Sequence, residues 1–333
     1  MKNIIKNSVA LSFLVLVIGG CSSKRVYEPQ NVIQTWKEPK QIEAAVADIG
    51  NSAALLENSK VLFEDKVLDF KISDEYRLLG ISDGWVLSSS VEGDLTLEYL
   101  ADATLKKEFE LKKTIASASI QDDLLAVLFA DNEMALYSIS SKELLFKEQG
   151  GAPLVLDSRI VSPHFMKDLV LYLTLDGKIV IVNAQLKKKL RTVIVSSKEH
   201  FNNVIFFHIL DDKLLAATSH TLLSLAQQEV RVDYEIRDVA YDEKNLYIAT
   251  KQGEIISLTP DLQINAKVKF PFAHFLGLIY KDDTLYALEK EGYLITLNKD
   301  LQSYEIYEAE ISEGYTFSSN TTFYTDDLAL DLE

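Results

Sequence analysis

One unit of about 40 residues recurs along most of the chain, and it narrows the fold to a repeat architecture. LLAVLFADNEMALYSISSKELLFKE begins at residue 124, LVLYLTLDGKIVIVNAQLKKKLRT at 169, LYIATKQGEIISLTPDLQINAKVKF at 246 and LYALEKEGYLITLNKDLQSYEIYE at 285. WVLSSSVEGDLTLEYLADATLKKEFEL from 85 follows the same template, and KLLAATSHTLLSLAQQEVRVDYE from 213 is a shortened copy. Each unit opens on apolar β-formers, passes a tight turn and continues in a second β segment. A polar turn then leads into a third segment that alternates Lys or Glu with apolar residues. The tight turns hold Glu92-Gly93, Asp131-Asn132, Asp176-Gly177, Gln252-Gly253 and Glu291-Gly292, where Gly or Asn accepts the positive φ a hairpin demands. Another strand ending in an acidic turn precedes each unit, as in IASASIQDD (115–123) and VIFFHILDD (204–212), which makes four strands per unit.

Four antiparallel strands per 33 to 45 residues predict an all-β fold, a β-propeller of four-stranded blades. The period-2 alternation excludes a helical solenoid, and two β-sandwiches would give no reason for a repeating turn period. Counting from the segments near 85, 124, 169, 213, 246, 285 and 322 predicts seven blades over residues 60–333. N- and C-terminal strands then close the ring, with 60–73 completing the half-unit at 314–327. Eight blades is the alternative, if 328–333 and 51–58 each add a strand. Upstream, 21–39 is polar with two prolines and is expected to be a tether able to reach up to about 60 Å. KQIEAAVADIG (40–50) carries Ile42, Val46 and Ile49 at helical spacing after Pro39, so a short helix is expected in a cap over 40–59, a β-strand being the alternative.

The first twenty residues have the basic, apolar, small layout of a secretory signal. Lys2 and Lys6 precede VALSFLVLVI, and Gly19-Gly20 follow. The apolar run is too short to span a bilayer. Next comes Cys21, the one cysteine of 333 residues, which rules out an internal disulfide. Formal charge is −16, and −18 from Cys21 onward once Lys2 and Lys6 are left out, so there is no basic stripe for nucleic acid.

Ile18-Gly19-Gly20-Cys21 resembles a bacterial lipobox. That resemblance implies cleavage before Cys21, a diacylglyceryl group on its thiol and acylation of the new amine; three chains anchor essentially permanently, at about 0.8 kcal/mol per buried CH₂. Ser22-Ser23 lacks the aspartate that retains lipoproteins at the inner membrane, which implies the outer membrane, facing the periplasm. ALYSISSKELLFK and IVIVNAQLKKKLRT resemble the strand–turn–strand of quinoprotein-like propellers. A lipoprotein of this length with such repeats is similar to the lipoproteins of outer-membrane β-barrel assembly. The likeness implies a non-catalytic scaffold whose partners are envelope proteins, the barrel assembly machinery among them. The tryptophan that docks between blades in that repeat is missing, since the chain holds only Trp36 and Trp85, and Leu, Phe and Tyr are expected to take its place.

No catalytic set emerges. His164, His200, His208, His220 and His274 fall in different units without metal-ligand spacing, so no metal site and no cofactor is expected. Asp122-Asp123, Asp211-Asp212, Asp282-Asp283 and Asp326-Asp327 do not fit a calcium loop and are expected to cap turns. Gly150-Gly151 reads as an inter-blade loop. Lipidation at Cys21 is the one assigned site. The rival readings are a propeller enzyme or small-ligand binder, such as a quinone-dependent dehydrogenase, and a surface-exposed adhesin.

Overall fold

The computed structural model describes residues 25–332, and the described strands form eight four-stranded blades around a central channel. In chain order the blades span residues 46–71, 77–110, 115–149, 164–194, 206–233, 236–269, 275–308 and 316–331. Within each, the first strand is innermost and pairs antiparallel with the second, and so on outward, as in Ile115–Gln121, Leu124–Phe129, Glu133–Ser138 and Leu144–Gln149. The eighth blade has only three strands of its own. Its outermost strand is Lys40–Gln41, paired antiparallel with Leu328–Ala329, so N- and C-terminal strands close the ring through 40–41 and not through the expected 60–73, which supplies the two outer strands of the first blade. The closure covers the edge that Leu328–Ala329 would otherwise present.

The count is eight where seven was expected. Ala53–Leu56 and Leu328–Asp331 are both strands, the condition on which eight rested. The first blade escapes the repeat pattern because it is short. Its inner strand, Val46–Ile49, turns through Gly50-Asn51-Ser52, with Ser52 at φ 63°, where three of the longer blades turn through paired aspartates.

The helix expected over 40–50 is replaced by Lys40–Gln41 and Val46–Ile49, both strands. Spacing alone favoured a helix, but the seam offers unpaired backbone. Ile42 N–H donates to Asp327 O at 2.8 Å and Val46 N–H to Asp326 O at 3.0 Å. Ile42 and Val46 pack with Leu56, Phe317 and Tyr324 between the first and last blades. Tertiary pairing overrides a weak local preference.

Residues 25–39 also differ from a free tether. Tyr27 is 5% exposed and meets Phe270 and Tyr293 edge-on. Gln34–Thr35 adds a fifth strand to the seventh blade, parallel to Tyr307–Glu308. Trp36 packs on Tyr307 with ring centroids 4.8 Å apart and donates Nε1–H to Asp331 O at 3.0 Å.

Packing explains the repeat grammar. Second strands are covered on both faces by neighbouring blades, so Leu124–Phe129 is buried almost throughout; outermost strands such as Glu229–Asp233 alternate exposed with half-buried residues. The core therefore lies between blades, as in the cluster of Leu87, Leu97, Ile120, Leu125 and Val127. The expected substitute for tryptophan is present. Tyr172 is fully buried and donates its hydroxyl to Ala135 O of the preceding blade at 2.7 Å. Tyr247 donates to Asp242 Oδ2 at 2.8 Å and reaches Lys299 O of the following blade at 3.2 Å.

The expected turns hold. Gly93, Asn132, Gly177, Gly253 and Gly292 all have positive φ, between 67° and 95°. At Gly253, with φ 74°, an added Cβ would sit 2.3 Å from Phe270 O. Gly253→Ala should therefore destabilise by about 2 kcal/mol through backbone strain and the clash. A urea midpoint equal to wild type would contradict that geometry.

Candidate functional site at the channel mouth

Innermost strands of five blades begin with a register shift: between Val46 and Asp48, Leu78 and Gly80, Ile115 and Ser117, Ile236 and Asp238, Phe275 and Gly277. A bulge inserts one residue and re-aims its side chain. Four of the inserted residues, Leu79, Ala116, Arg237 and Leu276, line one mouth of the channel, a cavity of about 640 Å³. Repeated backbone irregularity thus builds the mouth.

The connection from the third to the fourth blade (150–163) supplies the rest. Asn132 ties its start, donating Nδ2–H to Gly151 O at 2.7 Å and accepting Leu175 N–H on Oδ1 at 2.9 Å; Gly150-Gly151 is the inter-blade loop expected. Farther on, residues 157–161 line the mouth. Asn203 holds them from the next connection. It accepts Asp157 N–H on Oδ1 at 2.8 Å and donates Nδ2–H to Arg159 O at 2.7 Å and Asp157 O at 3.1 Å. Asp157 receives both Nε–H (2.8 Å) and an Nη2–H (2.6 Å) from Arg159, and Ser219 Oγ–H at 2.7 Å. Arg159 Nη1 also donates to Arg237 O of the sixth blade, so the loop bridges across the ring.

Burial pushes the Asp157 carboxyl up, but the hydrogen bonds and charge of Arg159 outweigh it and bring it down to about 2. Arg237 is pushed down by burial and by the charge of Arg159. Asp238, one residue on, is pushed up by burial in spite of Arg159, and accepts Leu278 N–H at 2.7 Å. Arg77 at the start of the second blade completes a trio of arginines lining the mouth. Nε of Arg77 and Nε of Arg237 are buried without a hydrogen-bond partner in the described protein.

Sequence reasoning missed this cluster, although a signal existed. The chain has six arginines, and three of them fall where an innermost strand begins or just before, in EYRLLG, DSRIVS and EIRDVA. The five histidines carry no such regularity. The structure brings two of these together on adjacent blades. His164 packs against Phe207 at 4.9 Å, His208 stacks on Tyr241 at 3.7 Å, and the charge of His164 helps push His208 down after burial does so. His274 lines the arginine mouth, its backbone N–H donating to Glu289 Oε1. Three of the aspartate pairs form the turn after the innermost strand, with Asp122, Asp211, Asp212, Asp282 and Asp283 at positive φ. Asp326-Asp327 does not share that place, since it lies between second and third strands, at the opposite end of its blade. Among the described residues, no group of three or more His, Cys, Asp or Glu is placed to hold a metal ion. Cys21 lies outside the described residues.

No family model matches the chain. In sequence it is 35% identical over 160 residues to the plasminogen-binding protein PgbB of Helicobacter pylori strain J99, a stretch covering 47% of this chain and 30% of PgbB. The chain thus spans under a third of the length of the curated relatives it matches. In structure it is similar to BamB from Moraxella catarrhalis, with TM-score 0.66 and 13% identity over 87% of this chain and 95% of that one. The computationally designed Ika8 protein fits at TM-score 0.62 and 10% identity, over 90% of this chain and 99% of that one. At such identities these likenesses establish the fold: an all-β propeller like that of BamB.

Proposed function

We propose that the protein is a lipid-anchored scaffold that binds other envelope proteins from the periplasmic face of the outer membrane, in the assembly of outer-membrane proteins. The observation that carries the binding role is the fifth strand of the seventh blade. There an outer edge accepts an extended segment, Gln34–Thr35, in parallel. Among the described residues the other seven outer edges carry no added strand, and several expose apolar side chains, including Leu105, Leu190 and Ile194 at 50% each. A partner strand can pair with such an edge through the same backbone groups. The fold likeness to BamB favours the barrel assembly machinery as partner, and the lipobox at Cys21 supports the anchor.

Cys21→Ala should abolish membrane association and lipoprotein-type processing, read by fractionation and by the mass of the mature chain. A variant still matured and membrane-bound would overturn the anchor. Gentle detergent co-purification should recover envelope proteins with the wild type; recovery alone would overturn the scaffold.

The match to PgbB favours a second reading, a surface-exposed protein that binds a host ligand. Protease treatment of intact cells decides between them, since a periplasmic propeller survives and a surface one is cut.

A further inference from the structure

We propose that the arginine mouth is a binding site for a small organic oxyanion, a carboxylate or phosphate carried on an apolar body, gripped by Arg77 and Arg237. Three of the six arginines of an acidic chain converge here, and they do not share one role. Arg159 is consumed by Asp157 and by the carbonyl of Arg237, which makes it part of the wall. Arg77 and Arg237 keep a buried Nε–H with no acceptor in the described protein. A buried guanidinium donor is costly without an acceptor, and its planar fork matches a carboxylate or phosphate edge. Arg237 moreover stands at a bulge, which turns it into the cavity.

The rest of the lining defines the ligand. At about 640 Å³ the cavity suits a small molecule. Ile160, Val161, Ile205, Phe275 and Leu276 give it an apolar wall, which fits the non-ionic end of an amphipathic anion. Asp157 does not compete, because both of its oxygens are engaged by Arg159 and Ser219. The site stands independently of the scaffold reading, which concerns the outer edges.

The oxyanion has two sources to separate, a soluble amphipath and a lipid headgroup. Hexyl phosphate and hexanoate should bind saturably in calorimetry and raise the melting temperature, while hexanol does neither. Arg77→Gln and Arg237→Gln should each weaken binding about tenfold or more, the loss expected for one charge-assisted pair. Arg77→Lys and Arg237→Lys keep the charge, lose the fork and should fall between. Because neither Nε has a protein partner, the ligand-free melting temperatures should stay near wild type, which separates lost binding from lost folding. Flotation with vesicles containing phosphatidylglycerol, competed by hexyl phosphate and lost in the Gln variants, assigns the site to a lipid headgroup; binding of the soluble anions alone assigns it to a soluble ligand. The proposal is overturned if neither anion nor vesicle binds, or if the double Gln variant binds as wild type does.

Discussion

A chain that begins at residue 42 should be less stable by roughly 5 kcal/mol than one that begins at Arg25, and should aggregate at lower temperature. The magnitude follows from what residues 25–41 contribute. Tyr27 is almost wholly buried and Trp36 half-buried, and together their rings are worth roughly 3–4 kcal/mol. Ladder hydrogen bonds add to this. Ile33 N–H to Ile306 O and Trp36 N–H to Glu308 O hold the fifth strand of the seventh blade, at 2.9 and 2.7 Å. Lys40–Gln41 closes the eighth blade. Its ion pair from Lys40 to Asp331 is solvent-exposed and counts for little. Roughly 5 kcal/mol is a large share of what holds an ordinary domain folded. The loss would also bare the edge of Leu328–Asp331 to other chains. Urea unfolding with light scattering reads both effects. An unchanged midpoint would show that the ring closes without its N-terminal strand. Trp36→Ala alone should cost about 2 kcal/mol.

Much of this fold was legible because a propeller writes itself repeatedly. Strand type, the hairpin glycines and the charged outer strands recur often enough to outvote local noise, so six central blades were placed from the pattern. The seam was harder, for a physical reason. Lys40–Gln41 is only two residues long, and nothing local distinguishes it from loop or helix; it becomes a strand because Ala329 and Leu328 lie unpaired beside it. Trp36 suffers the same ambiguity. In sequence it sits in a polar, proline-flanked stretch, while its partners Tyr286 and Tyr307 lie some 250 residues away or more. The mouth was less legible still. Asp157 and Arg159 stand in an irregular loop with no motif, and their role depends on Asn203 from the next connection and Ser219 from the fifth blade. Arg77 precedes its blade's bulge by two residues and Arg237 is the bulge residue of its own, so only the fold brings both to the mouth.

Asp157→Ala should cost about 3 kcal/mol, and the cost should shrink in acid. The alanine removes the acceptor of three Arg159 hydrogen bonds, one of them from its backbone N–H, and of Ser219 at once. Breaking a buried pair by deleting one partner costs about 3–5 kcal/mol. The lower end applies because the Arg159 side chain remains 36% accessible through the mouth, where water screens it. Asp157→Asn keeps the shape and should cost less. The pH dependence follows from a carboxyl held at about 2 in the folded chain against an ordinary 3.8. A depressed folded-state value means that the ionised carboxylate favours folding. Its contribution, about 2 kcal/mol, is therefore complete above pH 4 and lost as pH falls toward 2. Unfolding free energies of wild type and Asp157→Asn should differ most near neutral pH and converge in acid. A gap that stayed constant from pH 6 to 2.5 would show that the Asp157–Arg159 pair does not hold the loop. If the gap closes as expected, limited proteolysis should find the 150–163 connection cut faster in Asp157→Ala than elsewhere in the ring. That would make this one pair the fastener of the mouth, and Arg159 its wall, which leaves Arg77 and Arg237 as the cations with a side free.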